Sequence, residues 1–156
     1  MAEPQTVQQA YSIILRRNIE TGAAPHYTEL ARLLHVTPDQ ARDIQRDAVA
    51  AAAGCWISHD TDYLHSIAPF SNLPTQYRVT VEGEQRWYGQ CGLESLAVRW
   101  LFPGKEVRID APCLDCGEPI VVRMKDDEIL EVDPPEAVGH TVASFMKRST
   151  ASSAYR

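Results

Sequence analysis

The 156-residue sequence has no basic stretch, no long apolar run and no glycine-rich phosphate loop. Each absence removes a class of function. Lys and Arg number 15 against 21 Asp and Glu, a formal net charge of −6. Residues 1–70 and the remainder each carry −3, so neither part attracts polyanions, and DNA and anionic membrane surfaces are not expected partners. The longest apolar stretches, such as Ala48 to Ala53, fall far short of the roughly 20 residues that span a bilayer. Met1 to Gln9 is polar and lacks the apolar core of a secretory signal. A cytoplasmic protein is the expectation, with reduced thiols. There is no serine-centred nucleophile motif and no internal repeat.

What is present is ordinary globular composition, 44% hydrophobic and 23% charged, in a length that suits one medium domain or two small ones. Val7, Ala10, Tyr11, Ile14 and Leu15 recur at helical spacing and predict a helix over 5–20, broken by Thr21 to Pro25. A short helix over 28–34 follows. His35-Val36-Thr37 forms a turn, and Pro38 opens a third helix with Thr37 as its N-cap, running to about Ala53 before Gly54. Two helices joined by three residues behind a leading helix is the helix-turn-helix plan, and Trp56 to Ile67 could add a two-stranded wing. The third helix carries Asp39, Asp43 and Asp47 against Arg42 and Arg46, a face that phosphates would repel. Packing, rather than DNA reading, is the expected use.

Beyond a proline-bearing linker the period changes. Tyr77, Val79 and Val81 alternate as a strand, Glu82-Gly83-Glu84 turns the chain, and Arg86 to Tyr88 returns. Cys91 to Phe102 reads as a helix with an apolar stripe of Leu93, Leu96, Ala97, Trp100 and Leu101. A strand through Val107 and Ile109 leads to Cys113-Leu114-Asp115-Cys116-Gly117. Ile120 to Met124 and Ile129 to Val132 then pair through Asp126-Asp127. A weak apolar patch covers Val138 to Met146, and the end of the chain is polar.

The chemistry rests with cysteines. Cys91 sits where strand turns into helix, so the helix dipole and free amides should lower its pKa, and Glu94 three residues on shares its face. A soft nucleophile and a proton donor on one helical turn can divide a reaction between them. Alternatively, Cys91 is a buried thiol and Glu94 a common first-turn residue. Cys113 and Cys116 have the spacing of a zinc knuckle or a dithiol. With Cys91 as a third sulfur, and His140 or Glu94 as a fourth ligand, they could hold mercury, copper(I), zinc or cadmium. They could equally be small hydrophobes packed in a β-turn. Cys55, beside Trp56, reads as core, and His26, His35, His59 and His65 lack ligand spacing.

Arg86-Trp87-Tyr88-Gly89-Gln90-Cys91-Gly92-Leu93-Glu94-Ser95-Leu96 resembles the signature of the alkylmercury lyases. Val107 to Ile120, with its strand, Cys113 and the Gly117-Glu118-Pro119 turn, is similar to the same family. The resemblance covers roughly residues 27–140, and with the residue pattern described above it gives the expectation of an α+β protein. An N-terminal helix-turn-helix, winged-helix-like three-helix domain would occupy 1–67, followed by a linker over 68–76. An alkylmercury-lyase-like domain of short β-hairpins around one helix would occupy 77–142, with a disordered tail over 143–156. It implies protonolysis of carbon–mercury bonds, with Cys91 capturing the organomercurial and Glu94 standing where the family has an aspartate. Cys113 would match a cysteine regarded as mainly structural. The family's further C-terminal cysteine has no match, because no cysteine follows Cys116; the expectation is a short variant in which Cys116 substitutes as second mercury thiol. Cys91, Cys113 and Cys116 would be the metal-binding thiols. No organic cofactor is implied; Hg(II) is the product ligand, zinc a candidate metal, and external thiols the carriers of released mercury. The alternative is a non-catalytic soft-metal-binding or sensing protein, or an inactive truncated homologue.

Overall fold

The computed structural model describes residues 2–58 and 60–140. It divides into two compact units, with the break between Pro74 and Thr75.

The first unit opens with three helices, α1 (Pro4–Thr21), α2 (Tyr27–Leu34) and α3 (Pro38–Ala51). Each boundary has a local cause. Pro4 starts α1 and Gly22, at φ 81°, ends it in the left-handed region. His35 closes α2 at φ 56°. Thr37 then accepts a hydrogen bond from Gln40 N while the Gln40 side chain accepts one from Thr37 N, a reciprocal cap on α3. Ala52 is extended, so α3 stops two residues before the expected Ala53.

Three short antiparallel strands follow: β1 (Cys55–Ile57), β2 (Leu64–Ile67) and β3 (Phe70–Ser71). β3 lies in the stretch read from sequence as linker. Ala10, Ile14, Leu30, Ile44, Cys55, Leu64 and Ile67 form the core of this unit, and burial of each large aliphatic contributes about 1.5–3 kcal/mol. Asn72 ties the parts together: its Oδ1 accepts from Asn18 Nδ2 at 2.8 Å and Ala24 N at 2.9 Å, and its Nδ2 donates to Leu64 O at 3.0 Å. On α3, Arg46 pairs with Asp62 at 2.6 Å and Arg42 with Asp39 at 3.0 Å.

The second unit is an antiparallel sheet with one short helix. Its strands are β4 (Arg78–Val81), β5 (Glu84–Gly89), β6 (Glu106–Pro112), β7 (Pro119–Lys125) and β8 (Glu128–Asp133), ordered β5-β4-β6-β7-β8. β4 is central to the site because it pairs on both sides. Arg78 is in register with Tyr88 of β5 and with Asp110 of β6. Val79, Val81, Trp87, Val107, Ile109 and Met124 are buried, and Trp87 meets Phe102 edge-on with ring centroids 5.0 Å apart.

The expected helix from Cys91 to Phe102 is shorter and faces the other way. α4 covers Gly92–Ala97 and passes into a 3-10 turn over Val98–Leu101. Leu93, Leu96 and Trp100, expected to pack, are exposed at 56%, 37% and 60%, whereas Ser95, Val98 and Phe102 are buried. The cause is a close approach between Ser95 and Gly89. A Cβ at position 89 would lie 1.8 Å from Ser95 Oγ, so glycine lets this small face of the helix seat on the end of β5. Among the described residues no helix is long and apolar enough to cross a membrane. His59, the expected tail over 143–156 and most of the Val138 to Met146 patch lie outside the described residues.

Candidate active site

Cys91 occupies the N-cap position of α4 with extended backbone, φ −147° and ψ 172°. It is fixed there from both directions. Its carbonyl accepts from Ser95 N at 2.9 Å and from Ser95 Oγ at 2.6 Å. Two residues earlier, Gly89 N donates to Tyr77 O at 2.9 Å and Gly89 O accepts from Thr75 Oγ1 at 2.7 Å. The strand end is therefore clamped to the segment leading into β4, and the helix start is clamped to the cysteine itself. Ser95, Gly89 and Thr75 were not singled out from sequence. The readable signal was the Gly-Gln-Cys run between a strand and a helix.

Cys91 Sγ lies 3.5 Å from Glu94 Oε2, the thiol donating to the carboxylate. Both side chains are half-buried. Burial pushes the Cys91 thiol above its ordinary range; the Glu94 amide lowers it, but the Glu94 carboxylate adds to the rise. This reverses the expectation of a lowered pKa. A six-residue helix offers little dipole, and here desolvation and the neighbouring anion outweigh the amides. Burial also raises Glu94, partly offset by the hydrogen bond from Cys91. In this partly dry site the thiol and the carboxyl group each hold a proton more tightly than they would in water.

Cys113 and Cys116 stand together in the turn after β6. Cys113 N donates to Glu118 O at 2.7 Å, Gly117 N donates to Cys113 O at 2.9 Å, and Gly117 has φ 78°. This glycine takes the left-handed position that closes the turn. The main-chain N–H groups of Cys116 and Asp115 hold the Cys113 thiol below the ordinary range, helped by the Cys116 thiol. The Glu118 amide favours the Cys116 thiolate, yet bonding to Cys113 and residual burial push that thiol up. Cys116 is exposed and Cys113 half-exposed.

The structure brings Cys91 to Glu94 and Cys113 to Cys116, but it does not gather the three thiols. Among the described residues there is no cluster of three or more His, Cys, Asp or Glu side chains able to hold a metal. That includes the four-ligand arrangement with His140. Cys55 is buried in the first unit. The two pairs do share one end of the sheet. Cys91 and Cys113 each stand three residues beyond a register partner of Arg78, Tyr88 on one side and Asp110 on the other. The strands leading to them are two spacings apart, about 10 Å. An open cleft of about 350 Å³ lies between Thr75, Arg78, Asp110 and Gly117. A larger opening of about 480 Å³ contains none of these residues and is bordered by the ion pairs of Arg123 with Glu106 and Glu131.

The family model for alkylmercury lyase matches residues 70–155. An alkylmercury lyase of Bacillus cereus is 39% identical over 69 residues, 42% of this chain and 29% of that protein. One from Streptomyces lividans is 27% identical over 113 residues, 70% of this chain and 47% of that protein. The chain therefore spans less than half the length of these curated relatives. The crystal structure of the mercury-bound form of MerB2 superposes with a TM-score of 0.63 at 17% identity, covering 85% of this chain and 62% of that one. It shows a shared fold of helices with antiparallel sheet.

Proposed function

The chain belongs to the alkylmercury lyase family, and from that premise we propose that it cleaves carbon–mercury bonds by protonolysis, using Cys91 and Glu94. The observation that carries the reading is the 3.5 Å thiol–carboxylate contact in a half-buried site.

The chemistry follows from where the proton sits. As the sulfur of Cys91 bonds to the mercury of an organomercurial, its proton passes to Glu94, and a weaker ligand leaves mercury. The carboxyl group, already raised by burial, holds that proton next to the new S–Hg–C unit. Thiolate donation weakens the mercury–carbon bond, and Glu94 delivers the proton to carbon as the bond breaks. Hydrocarbon departs, Hg(II) stays on Cys91, and Glu94 is again a carboxylate. One proton travels from sulfur to carbon through a single acid–base residue, and nothing is oxidised or reduced. External thiols then carry mercury away by exchange. Glu94 is one methylene longer than the aspartate of the family, and its pairing with Cys91 supports the same role.

The first unit is read as a helix-turn-helix-like packing module. Asp39, Asp43 and Asp47 on α3, with Arg42 and Arg46 ion-paired to acids, favour that over DNA recognition.

The test is gas-chromatographic detection of hydrocarbon released from phenylmercury in excess thiol. Wild type should release benzene, and Cys91→Ser should not. A folded wild type that binds mercury stoichiometrically and releases nothing would instead identify a binding module.

A further inference from the structure

The two cysteines of the β6–β7 turn take no part in the steps above, and one tight turn holds them both. We infer that Cys113 and Cys116 form a second mercury site, a solvent-facing dithiol that accepts Hg(II) from Cys91 and presents it to external carriers.

Three observations carry this. First, the turn is built around its sulfurs. Cys113 N to Glu118 O and Gly117 N to Cys113 O fix the loop, so one tight turn carries two cysteines at Cys-x-x-Cys spacing. Cys116 is exposed and Leu114 beside it is 75% exposed, so the pair fills no core. Second, the donor set selects the ion. Zinc seeks four ligands, and among the described residues no third His, Cys, Asp or Glu joins the pair. Mercuric ion is content with two thiolates. Third, the site stands at the same sheet end as Cys91, across one strand, with a cleft beside it bordered by Thr75 and Gly117. Thr75 also holds Gly89, two residues before Cys91.

The transfer is thiolate exchange. Hg(II) shared between Cys91 and a small thiol is attacked first by the Cys113 thiolate and then by Cys116. The Cys116 proton passes to Cys91 as that sulfur leaves, and the small thiol departs as its anion. Two sulfur–mercury bonds form and two break. Charge is conserved and no redox partner is required. A dithiol outcompetes monothiols because its second sulfur attacks intramolecularly.

This rests on the lyase reading only for the origin of the ion, so the test uses mercuric chloride and the full chain. Cys91→Ser, alone and with Cys113→Ser or Cys116→Ser added, is loaded, passed through gel filtration in excess monothiol, and its mercury counted per chain. Cys91→Ser should retain one ion, and either added substitution should weaken retention at least tenfold. Equal retention in all three overturns the proposal. In wild type given one equivalent of mercuric ion, peptide mapping after alkylation should find Cys113 and Cys116 protected and Cys91 modified. The opposite pattern, with Cys91 protected and the turn alkylated, also overturns it. Thermal melts of the serine variants, with both changes at surface turn positions, confirm folding. Failure of the lyase reading would appear separately, as absence of hydrocarbon with these retention results unchanged.

Discussion

Cys91 and Cys113 stand at matching places, three residues beyond the two partners of Arg78 on opposite sides of β4, yet their surroundings differ in what governs a thiol. Cys91 stands at the N-cap of a helix whose amides are outweighed by burial and by an acid 3.5 Å away. Cys113 is held in a turn whose amides win because water also reaches it. The first arrangement strengthens a thiol's hold on its proton, and the second weakens it. Position in the sheet puts both cysteines at one end of it, and the connecting element decides their chemistry.

The largest expected effect comes from removing the acid from one side of this contrast. Glu94→Gln should lower hydrocarbon release by about 100-fold or more while leaving capture of phenylmercury by Cys91 intact. Measuring hydrocarbon and protein-bound mercury in the same sample checks this. Loss of both together would show that Glu94 serves folding or substrate entry instead of proton delivery. The same variant should lower the Cys91 thiol pKa, read from the pH dependence of its alkylation, because a raising neighbour has gone.

Next in size is the seat of the helix. Gly89→Ala sets a Cβ 1.8 Å from Ser95 Oγ and 2.8 Å from Ser95 Cβ, so it should cost about 2 kcal/mol in denaturant unfolding. Gly89→Ala combined with Ser95→Gly should recover part of that loss. Additive destabilisation would mean that the approach of α4 to β5 is not what the glycine serves. At Gly83, where nothing lies within 4 Å but φ is 84°, alanine should cost less and act through backbone strain alone.

The contrast between the thiols themselves should appear as a reactivity order. At neutral pH Cys113 should alkylate about tenfold faster than Cys91, with the rates followed peptide by peptide. Equal rates would remove the electrostatic distinction on which the two roles depend.

Part of this was legible in the residues. The three-residue spacing of Cys91 and Glu94 placed them on one helical face, and Thr37-Pro38 announced the cap of α3. The strand alternation at Val79 and Val81 located the back-unit core. The buried face of α4 was misread because apolar spacing favoured Leu93, Leu96 and Trp100. The deciding feature, a glycine at the end of the preceding strand, lies outside the helix. The direction of the Cys91 shift was misread for a similar reason, since a helix start is visible in sequence and burial is not. The shared relation of Cys91 and Cys113 to Arg78 needs strand pairing, which no local pattern supplies.

The smallest effect is also the most specific to Glu94. Its carboxyl titrates higher in the folded chain than in the unfolded one, chiefly through burial. The native state then binds the proton more tightly, so this group's contribution to stability is fullest in acid, below the ordinary carboxylate range. It falls as pH rises through the raised value. Near neutrality the buried carboxylate is a liability, relieved only in part by the Cys91 thiol. Glu94→Gln removes the charge while keeping an oxygen that can accept from that thiol. Its urea midpoint should therefore exceed that of wild type at neutral pH, and the gap should shrink in mild acid as the wild-type carboxyl takes up its proton. A gap of equal size at both pH values would mean that Glu94 is not held above its ordinary range, and the proton intended for carbon would have to be stored elsewhere. A gap that closes in acid would instead tie the stability lost at neutral pH to the same desolvation that readies this carboxyl to carry a proton from sulfur to carbon.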